Sequence, residues 1–375
     1  MEIYLDNSAT TKICKSSADA MMSAITDNWG NPSSIHKKGI NALNALNDAR
    51  QALADLIKAS AEEIYFSPSG TVANNTAIFG AVNALKKRGN RIVTTALEHP
   101  SVGEAMKRLE QQGFEVIRLP AARDGSFSPT DLINAINKNT ILVSIMAVNN
   151  EIGTIYPISL IKQAVLRADS PALVHVDAIQ ALGKIELTPQ RMGIDLMSMS
   201  AHKLHGPKGV GALYIKKGTR ITPHILGGGQ ENGIFSGTQP MPAIIGFGAA
   251  VKALPNIKKQ AIEVQGLRDY FVENVTKIGG VHINSPSNAL PYIINLSVLG
   301  VPSQTMVNAL SEMGIYVSAG SACKKGHRSE VLTAIGIEPN FIDSAIRISL
   351  SRDTTRQELI STVEAIDSVV KRIRR

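Results

Sequence analysis

Residues 197–209 read MSMSAHKLHGPKG. This segment leads from an apolar, strand-like run into a Ser-x-His-Lys turn, and glycines and a proline follow directly. A lysine at the end of a buried strand can be held in one position and partly desolvated, which keeps its amine neutral and nucleophilic. The segment therefore predicts Lys203 as a site residue. The alternative is a solvated loop lysine beside a Gly-Pro turn.

The same pattern of a strand followed by a polar residue recurs on both sides of this segment. Helical segments separate most of the short β-rich runs, which lie at 63–66, 91–95, 114–119, 141–148, 172–176, 195–199 and 210–215. Such alternation predicts an α/β fold with a mainly parallel sheet and helices on both faces. Ligands of such sheets bind at the carboxyl ends of the strands. His99, Asn150, Asp177 and Lys203 are predicted to lie there.

The pattern changes after about residue 242. A long helical stretch, interrupted at Pro255, precedes a second set of strands at 292–298, 315–317 and 345–350 and helices at 303–313 and from Thr355 onward. We therefore predict a large domain over 16–250 and a smaller α+β domain over 251–375. Residues 1–15 are predicted to pack with the small domain.

The composition is that of a soluble globular protein, with 44% hydrophobic and 19% charged residues in 375. A net charge of +8 suits an acidic partner or RNA, but only 4% of residues are aromatic and no basic block is interleaved with them. We therefore expect no direct nucleic-acid binding. There is no run of about 18 apolar residues and no charged-then-apolar leader, so we expect a cytoplasmic protein without a membrane segment. Cys14 and Cys323 have no metal-ligand spacing, and no metal is expected.

Three positions suggest how an anionic, aromatic ligand could be held. Gly70 and Thr71 open a helix, whose N-terminal amide groups can bind a phosphate, although such residues also open helices for capping alone. Asp177 ends an apolar run and could pair with a pyridinium nitrogen or cap a helix. His99 could stack on a flat cofactor and move protons, or only satisfy a loop carbonyl.

Two further residues could act on a substrate. Cys323 lies in VSAGSACKKGHRSEV, where two lysines, His327 and Arg328 follow it, and these cations favour a thiolate. An ordinary exposed thiol is the alternative. Arg352 lies between a strand and the last helix, where it could bind a carboxylate or only pair with Asp353. Taken together, the candidate residues predict a pyridoxal phosphate site that acts on an amino acid.

A series of short motifs along nearly the whole chain resembles the cysteine desulfurases of the class V aminotransferase group. In chain order these motifs are LDNSATT (5–11), NWGNPSSIHKKG (28–39), SGTVANN (69–75), EHPSV (98–102), VNNEIGT (148–154), HVDAIQ (175–180), SAHKLHGPKG (200–209), GGGQE (227–231), SGT (236–238), SAGSAC (318–323) and IRISLSR (346–352). The resemblance implies fold type I architecture with a seven-stranded sheet, pyridoxal 5'-phosphate as cofactor, and a homodimer.

The resemblance also implies a role for each matching residue. Lys203 would form the covalent imine with the cofactor, Asp177 would pair with its ring nitrogen, and Gln180 with its phenolic oxygen. His99 would stack on the ring. The residues implied for the phosphate are Gly70, Thr71, Ser200, His202 and, from the other subunit, Thr238.

For the reaction, the resemblance implies that Asn150 and Arg352 bind the carboxylate of L-cysteine. Cys323 would take the sulfur as a persulfide, leave L-alanine, and pass the sulfur to an acceptor protein for iron–sulfur cluster assembly or tRNA thiolation.

The chain departs from the family pattern at Val72, Asn232 and Phe235, where Glu, Arg and Arg are usual, and its cysteine loop is about two residues shorter than in long-loop members. Alternatives are a selenocysteine or cystine lyase, an aminotransferase, or a non-catalytic sulfur-relay protein.

Overall fold

The computed structural model describes residues 2–319 and 328–374. Its strands are β1 (Ile3–Tyr4), β2 (Ile64–Ser67), β3 (Arg91–Thr95), β4 (Glu115–Leu119), β5 (Thr140–Met146), β6 (Leu173–Asp177), β7 (Leu196–Ser200), β8 (Gly211–Ile215), β9 (Val281–Ile283), β10 (Ile293–Val298), β11 (Ile315–Tyr316), β12 (Ser318–Ala319) and β13 (Ala345–Ser349).

The helices surround these strands. They are α1 (Lys15–Thr26), α2 (Lys37–Ile57), α3 (Gly70–Leu85), α4 (Pro100–Gln111), α5 (Pro129–Ala135), α6 (Ser159–Arg167), α7 (Pro189–Met192), α8 (Met241–Lys252), α9 (Ile257–Val275), α10 (Ser303–Glu312), α11 (Glu330–Ala334), α12 (Pro339–Asp343) and α13 (Arg356–Ile373). Short 3-10 turns lie at Ala61–Glu63, Ala201–Lys203 and Glu231–Gly233.

A seven-stranded sheet forms the centre of the molecule, in the order β2-β8-β7-β6-β5-β3-β4. Strand β8 is antiparallel to both of its neighbours, and the pairs from β7 to β4 are all parallel. Every residue of β5, β7 and β8 is buried, because helices cover both faces of the sheet. The predicted α/β fold with a mainly parallel sheet is confirmed. Because β6 and β7 are parallel neighbours, their last residues, Asp177 and Ser200, lie at the same edge of the sheet.

Local capping explains where two helices begin beside this edge. The hydroxyl of Ser69 accepts the N–H of Val72 at 3.2 Å and caps α3. Ser101 and Glu104 have the spacing of a capping box, but Ser101 lies inside the helix α4 and not at its N-cap. The N-cap of α4 is His99, whose ring nitrogen Nδ1 accepts the N–H of Ser101 at 3.1 Å.

A second, four-stranded antiparallel sheet has the order β12-β13-β10-β9. Strand β1 pairs in parallel with β11, and Asp6 forms a bridge with Ser349 of β13, so the segment around β1 lies beside this sheet. Arg347 of β13 pairs in register with Asn295 of β10. The division into domains over 1–15, 16–250 and 251–375 stays a prediction. Within 2–319 and 328–374, no helix is both long and apolar enough to cross a membrane.

Candidate active site

A cavity of about 370 Å³ lies at the carboxyl edge of the large sheet. Nine predicted site residues line it, namely Gly70, Thr71, His99, Asn150, Asp177, Gln180, Ser200, His202 and Lys203. Residues far apart in sequence meet here because the strands that precede them end side by side. The structure thus brings together most of the residues that sequence analysis selects.

Lys203 is half-buried at the end of the 3-10 turn that follows β7. Its Nζ donates to the carbonyl oxygen of Ala9 at 2.8 Å and also to that of Ser8. The segment that follows β1 therefore holds the amine in one place. The turn itself is fixed by Thr11, whose backbone N–H and hydroxyl each donate to the carbonyl of His202 at 2.9 Å.

Asp177 is buried at the end of β6. One carboxylate oxygen accepts the N–H of Ile179 at 3.0 Å, and the other accepts Nδ2 of Asn74 at 2.7 Å. Burial raises the pKa of Asp177, while those two donors and the positive charge of Lys203 oppose that rise. A cationic ligand nitrogen in the cavity would supply the charge partner that a buried carboxylate needs.

His99 extends the same network. Its Nδ1 lies 2.8 Å from Oγ of Ser101, and that hydroxyl accepts the second N–H of Asn74 at 2.9 Å. Burial lowers the pKa of His99, Lys203 lowers it further, and Asp177 acts in the opposite direction. Sequence reasoning missed Asn74 and Ser101, although both lie inside the SGTVANN and EHPSV motifs.

The cavity also provides donors for an anion. The first amide groups of a helix have no partner within the helix, and here they belong to Gly70 and Thr71 of α3. Ser200 and His202 lie beside them. Burial and nearby lysines lower the pKa of His202 to about 4, so the ring is neutral, and its Nδ1 lies 3.2 Å from the hydroxyl of Thr10.

These residues fit pyridoxal phosphate. The cavity offers an amine, a buried carboxylate, an imidazole and a helix N-terminus, which match the aldehyde, ring nitrogen, ring face and phosphate of that cofactor. The hydroxyl oxygen of Ser8 is buried in the cavity wall without a hydrogen-bond partner among the described residues, as expected of a group that meets a polar ligand. A Cβ on Gly211 would lie 2.7 Å from the carbonyl carbon of Ser69, so only glycine lets the start of α3 approach the sheet.

Two arginines of the IRISLSR motif have different positions. Arg347 of β13 lines the cavity, is almost fully buried, and donates to Asp6 at 2.9 Å and to the carbonyl of Asn150 at 3.0 Å. Arg352 instead lines a small neighbouring cavity of about 30 Å³, where it donates to the carbonyl of Ala253 at 2.9 Å. Both cavities share Lys203. Sequence reasoning missed Arg347.

Two predicted residues remain, of which Thr238 does not line the cavity. Thr238 is exposed, and Cys323 is outside the described residues. Of the departures from the family pattern, Val72 and Phe235 pack in the apolar cluster beneath α3, and Asn232 is exposed with φ of 51°.

Comparison with known proteins identifies the family of this chain. The Aminotransferase class-V family pattern matches residues 3–361. A curated relative, cysteine desulfurase IscS from Dictyoglomus turgidum, is 42% identical over 378 residues, with 100% of this chain and 95% of the relative covered. Cysteine desulfurase IscS from Methanosarcina thermophila is 39% identical, with 99% of this chain and 93% of the relative covered.

Solved structures agree with the sequence relatives. A NifS-like protein superimposes with a TM-score of 0.94 at 36% identity and covers 99% of this chain and 100% of its own. A structure titled SspA in complex with cysteine has a TM-score of 0.83 at 34% identity and covers 95% of this chain and 100% of its own. The chain belongs to the aminotransferase class-V family and, within it, to the cysteine desulfurases. Membership of this family implies a pyridoxal phosphate cofactor.

Proposed function

We propose that this enzyme converts L-cysteine to L-alanine and retains the sulfur on Cys323 as a persulfide, with pyridoxal 5'-phosphate bound in the cavity described above. The observation that carries the proposal is the convergence of Lys203, Asp177 and His99 on that cavity together with the N-terminus of α3. When bound, the cofactor withdraws electrons from the substrate carbon. The protein residues bind, orient and move protons around it.

The large sheet supplies the residues for the cofactor. Gly70, Thr71, Ser200 and His202 would hold the phosphate, and Thr238 would reach it from a partner subunit. Asp177 would pair with the ring nitrogen, Gln180 with the phenolic oxygen, and His99 with the ring face. Nζ of Lys203 would bond the aldehyde carbon and, when displaced by substrate, move a proton at the substrate α-carbon.

The substrate carboxylate needs a cationic partner in or beside the cavity. Arg352 is the residue implied by resemblance, and Arg347 is the one that lines the cavity beside Asn150. A guanidinium has five N–H donors, and Arg347 uses only part of this set on Asp6 and Asn150. We therefore propose Arg347 and Asn150 as the carboxylate site, and keep Arg352 as the alternative.

The sulfur-transfer step is an attack by the Cys323 thiolate on Sγ of the bound cysteine. A sulfur–sulfur bond forms, the Cβ–Sγ bond breaks, and its electron pair goes to the substrate carbon. The proton of the substrate thiol is balanced by the proton that this carbon takes up, so that alanine and the persulfide anion are the products. The cations after Cys323 in the sequence stabilise both the thiolate and the persulfide.

A second copy of the chain is the expected structural partner. Met22, Trp29 and Ile35, on α1 and between α1 and α2, are 61%, 66% and 95% exposed. Exposed large apolar side chains in this stretch of the chain support a protein–protein interface there. The persulfide sulfur would pass to an acceptor protein for iron–sulfur cluster assembly or tRNA thiolation, and we expect the enzyme to act in the cytoplasm.

The test is incubation of the cofactor-loaded protein with L-cysteine, followed by intact-mass measurement and peptide mapping. We expect one added sulfur atom on Cys323 and release of alanine. Cys323→Ala should lose both, while Cys14→Ala, the matched control, should retain both. Pyruvate or a keto acid as product would contradict the proposal. Turnover of selenocysteine but not cysteine would point to a lyase, and cofactor binding without any turnover would favour the sulfur-relay alternative.

A further inference from the structure

The hydrogen bonds of Asn74 have a defined direction. Its side chain is fully buried, and the two N–H groups of Nδ2 are both used, one on the carboxylate of Asp177 at 2.7 Å and one on Oγ of Ser101 at 2.9 Å. A carboxylate can only accept, so it fixes Nδ2 on this side of the amide. Ser101 thus accepts from Asn74 and keeps its own hydroxyl proton to donate.

The next acceptor in the chain is Nδ1 of His99. It lies 2.8 Å from Oγ of Ser101 and 3.1 Å from the backbone nitrogen of the same residue. A backbone N–H can act only as a donor, so Nδ1 must be unprotonated to meet it. In a neutral imidazole, the proton is then on Nε2.

The surroundings also oppose protonation of Nδ1. This atom caps the N-terminus of α4, where the helix dipole disfavours a cation. Among residues 2–319 and 328–374, the charged groups that act on the ring are Asp177 at the end of β6 and Lys203 in the turn after β7. Burial and Lys203 lower the pKa of His99 more than Asp177 raises it.

From this geometry we infer that Asn74 and Ser101 are positioning residues that hold His99 as the neutral imidazole protonated at Nε2. His99 then meets the substrate and cofactor as a hydrogen-bond donor and does not act as a general base. Proton removal at the substrate carbon is left to Lys203. The catalytic consequence rests on the proposed function, whereas the protonation state of the ring does not.

The first test is nitrogen NMR of the holoenzyme labelled with ¹⁵N-histidine, with His99 assigned by comparison with His99→Gln. We expect Nδ1 to be unprotonated and Nε2 protonated from about pH 6 to about pH 9, a range that spans the ordinary titration of histidine. A protonated Nδ1 in this range would overturn the inference. If these signals are found and the parent enzyme does not desulfurate cysteine, the proposed function fails and the assignment of the proton stands.

The second test is Ser101→Ala in the holoenzyme. Loss of the hydroxyl donor should raise the pKa of His99, move the acidic limb of the kcat profile to higher pH, and lower kcat about tenfold at unchanged KM. Ser101→Thr keeps a hydroxyl and should restore both. Should Ser101→Ala fail to fold, the NMR signals of the parent and of Ser101→Thr decide.

The matched control is Ser144→Ala. It removes a contact of the same kind, since Oγ of Ser144 lies 2.8 Å from Nδ1 of His175, a buried histidine that does not line the cavity. This variant should keep the parent kcat and the parent His99 signals. A parent-like pH profile in Ser101→Ala, or an equal change in Ser144→Ala, would overturn the inference.

Discussion

The cavity lies between residues of the large seven-stranded sheet and Arg347 of the small four-stranded sheet, and these two walls differ in electrostatic character. On the side of the large sheet, burial and nearby positive charge lower the pKa of both His99 and His202, which favours their neutral forms. The wall from the small sheet instead presents Arg347, a permanent cation paired with Asp6 at 2.9 Å. Neutral histidines beside Asp177 and Lys203 suit a bound cofactor, because they can form hydrogen bonds to it without adding positive charge. A charged wall suits the anionic end of a substrate that enters and leaves.

The largest expected effect comes from the large-sheet wall. Lys203→Ala removes the amine that the carbonyls of Ser8 and Ala9 hold in place, and with it the covalent attachment of the cofactor. We expect the visible absorbance of the loaded enzyme to disappear and kcat to fall by at least about 10³-fold. The checks are an absorbance titration with pyridoxal phosphate and a coupled alanine assay.

The control for this variant is Lys208→Ala, which removes an exposed lysine of the same segment. It should bind the cofactor and turn over like the parent. A Lys203→Ala enzyme that keeps both the absorbance and the turnover would contradict the assignment of Lys203.

An intermediate effect should separate the two arginines at the small-sheet wall. Arg347→Lys keeps a positive charge near Asp6 but loses the planar fork that matches a carboxylate, so we expect kcat/KM for L-cysteine to fall roughly 100-fold. Arg352→Lys, in the neighbouring cavity, should change it by less than about threefold. Steady-state kinetics with L-cysteine and with cysteamine, which lacks the carboxylate, provide the measurement.

Comparing L-cysteine with cysteamine isolates the contribution of the substrate carboxylate. If Arg347 binds the carboxylate, Arg347→Lys should lose the preference for L-cysteine over cysteamine, because cysteamine never used the contact. If Arg352→Lys loses that preference and Arg347→Lys keeps it, then the residue implied by resemblance is correct and our choice of Arg347 is wrong.

Much of the large-sheet wall could be predicted from the sequence, because its residues follow strands directly. Asp177 ends β6, and Lys203 follows β7 within one turn, so local patterns place them at the same edge. The α/β fold is confirmed on the same basis. Asn74 and Ser101 lie inside helices and carry no local signal of their own. Their role depends on the tertiary fold, which places them between Asp177 and His99.

The small-sheet wall was harder to predict. Arg347 lies within β13, whereas Arg352 follows the end of that strand, so the tertiary structure determines which one lines the cavity. Arg347 is in the middle of a buried strand, where a sequence pattern favours apolar residues, and its partner Asp6 lies at the other end of the chain. No spacing rule connects positions this far apart.

The smallest expected effect concerns stability rather than catalysis, and it tests whether the buried Glu98 is uncharged in the folded enzyme. Burial raises the pKa of Glu98 from 4.5 to about 8, so the folded protein keeps a proton that the unfolded chain loses, and the free energy of unfolding should fall as pH rises between these values.

Glu98→Gln keeps an acceptor for Thr95 and Met146, which donate at 2.8 and 3.1 Å, and removes the titration. We expect it to gain about 2 kcal/mol of unfolding free energy relative to the parent between about pH 5 and about pH 6.5, measured by denaturant unfolding of the holoenzyme. Glu104→Gln, on the exposed face of α4, should keep the pH slope of the parent. A Glu98→Gln slope equal to that of the parent would mean that Glu98 is ionised in the folded enzyme despite its burial.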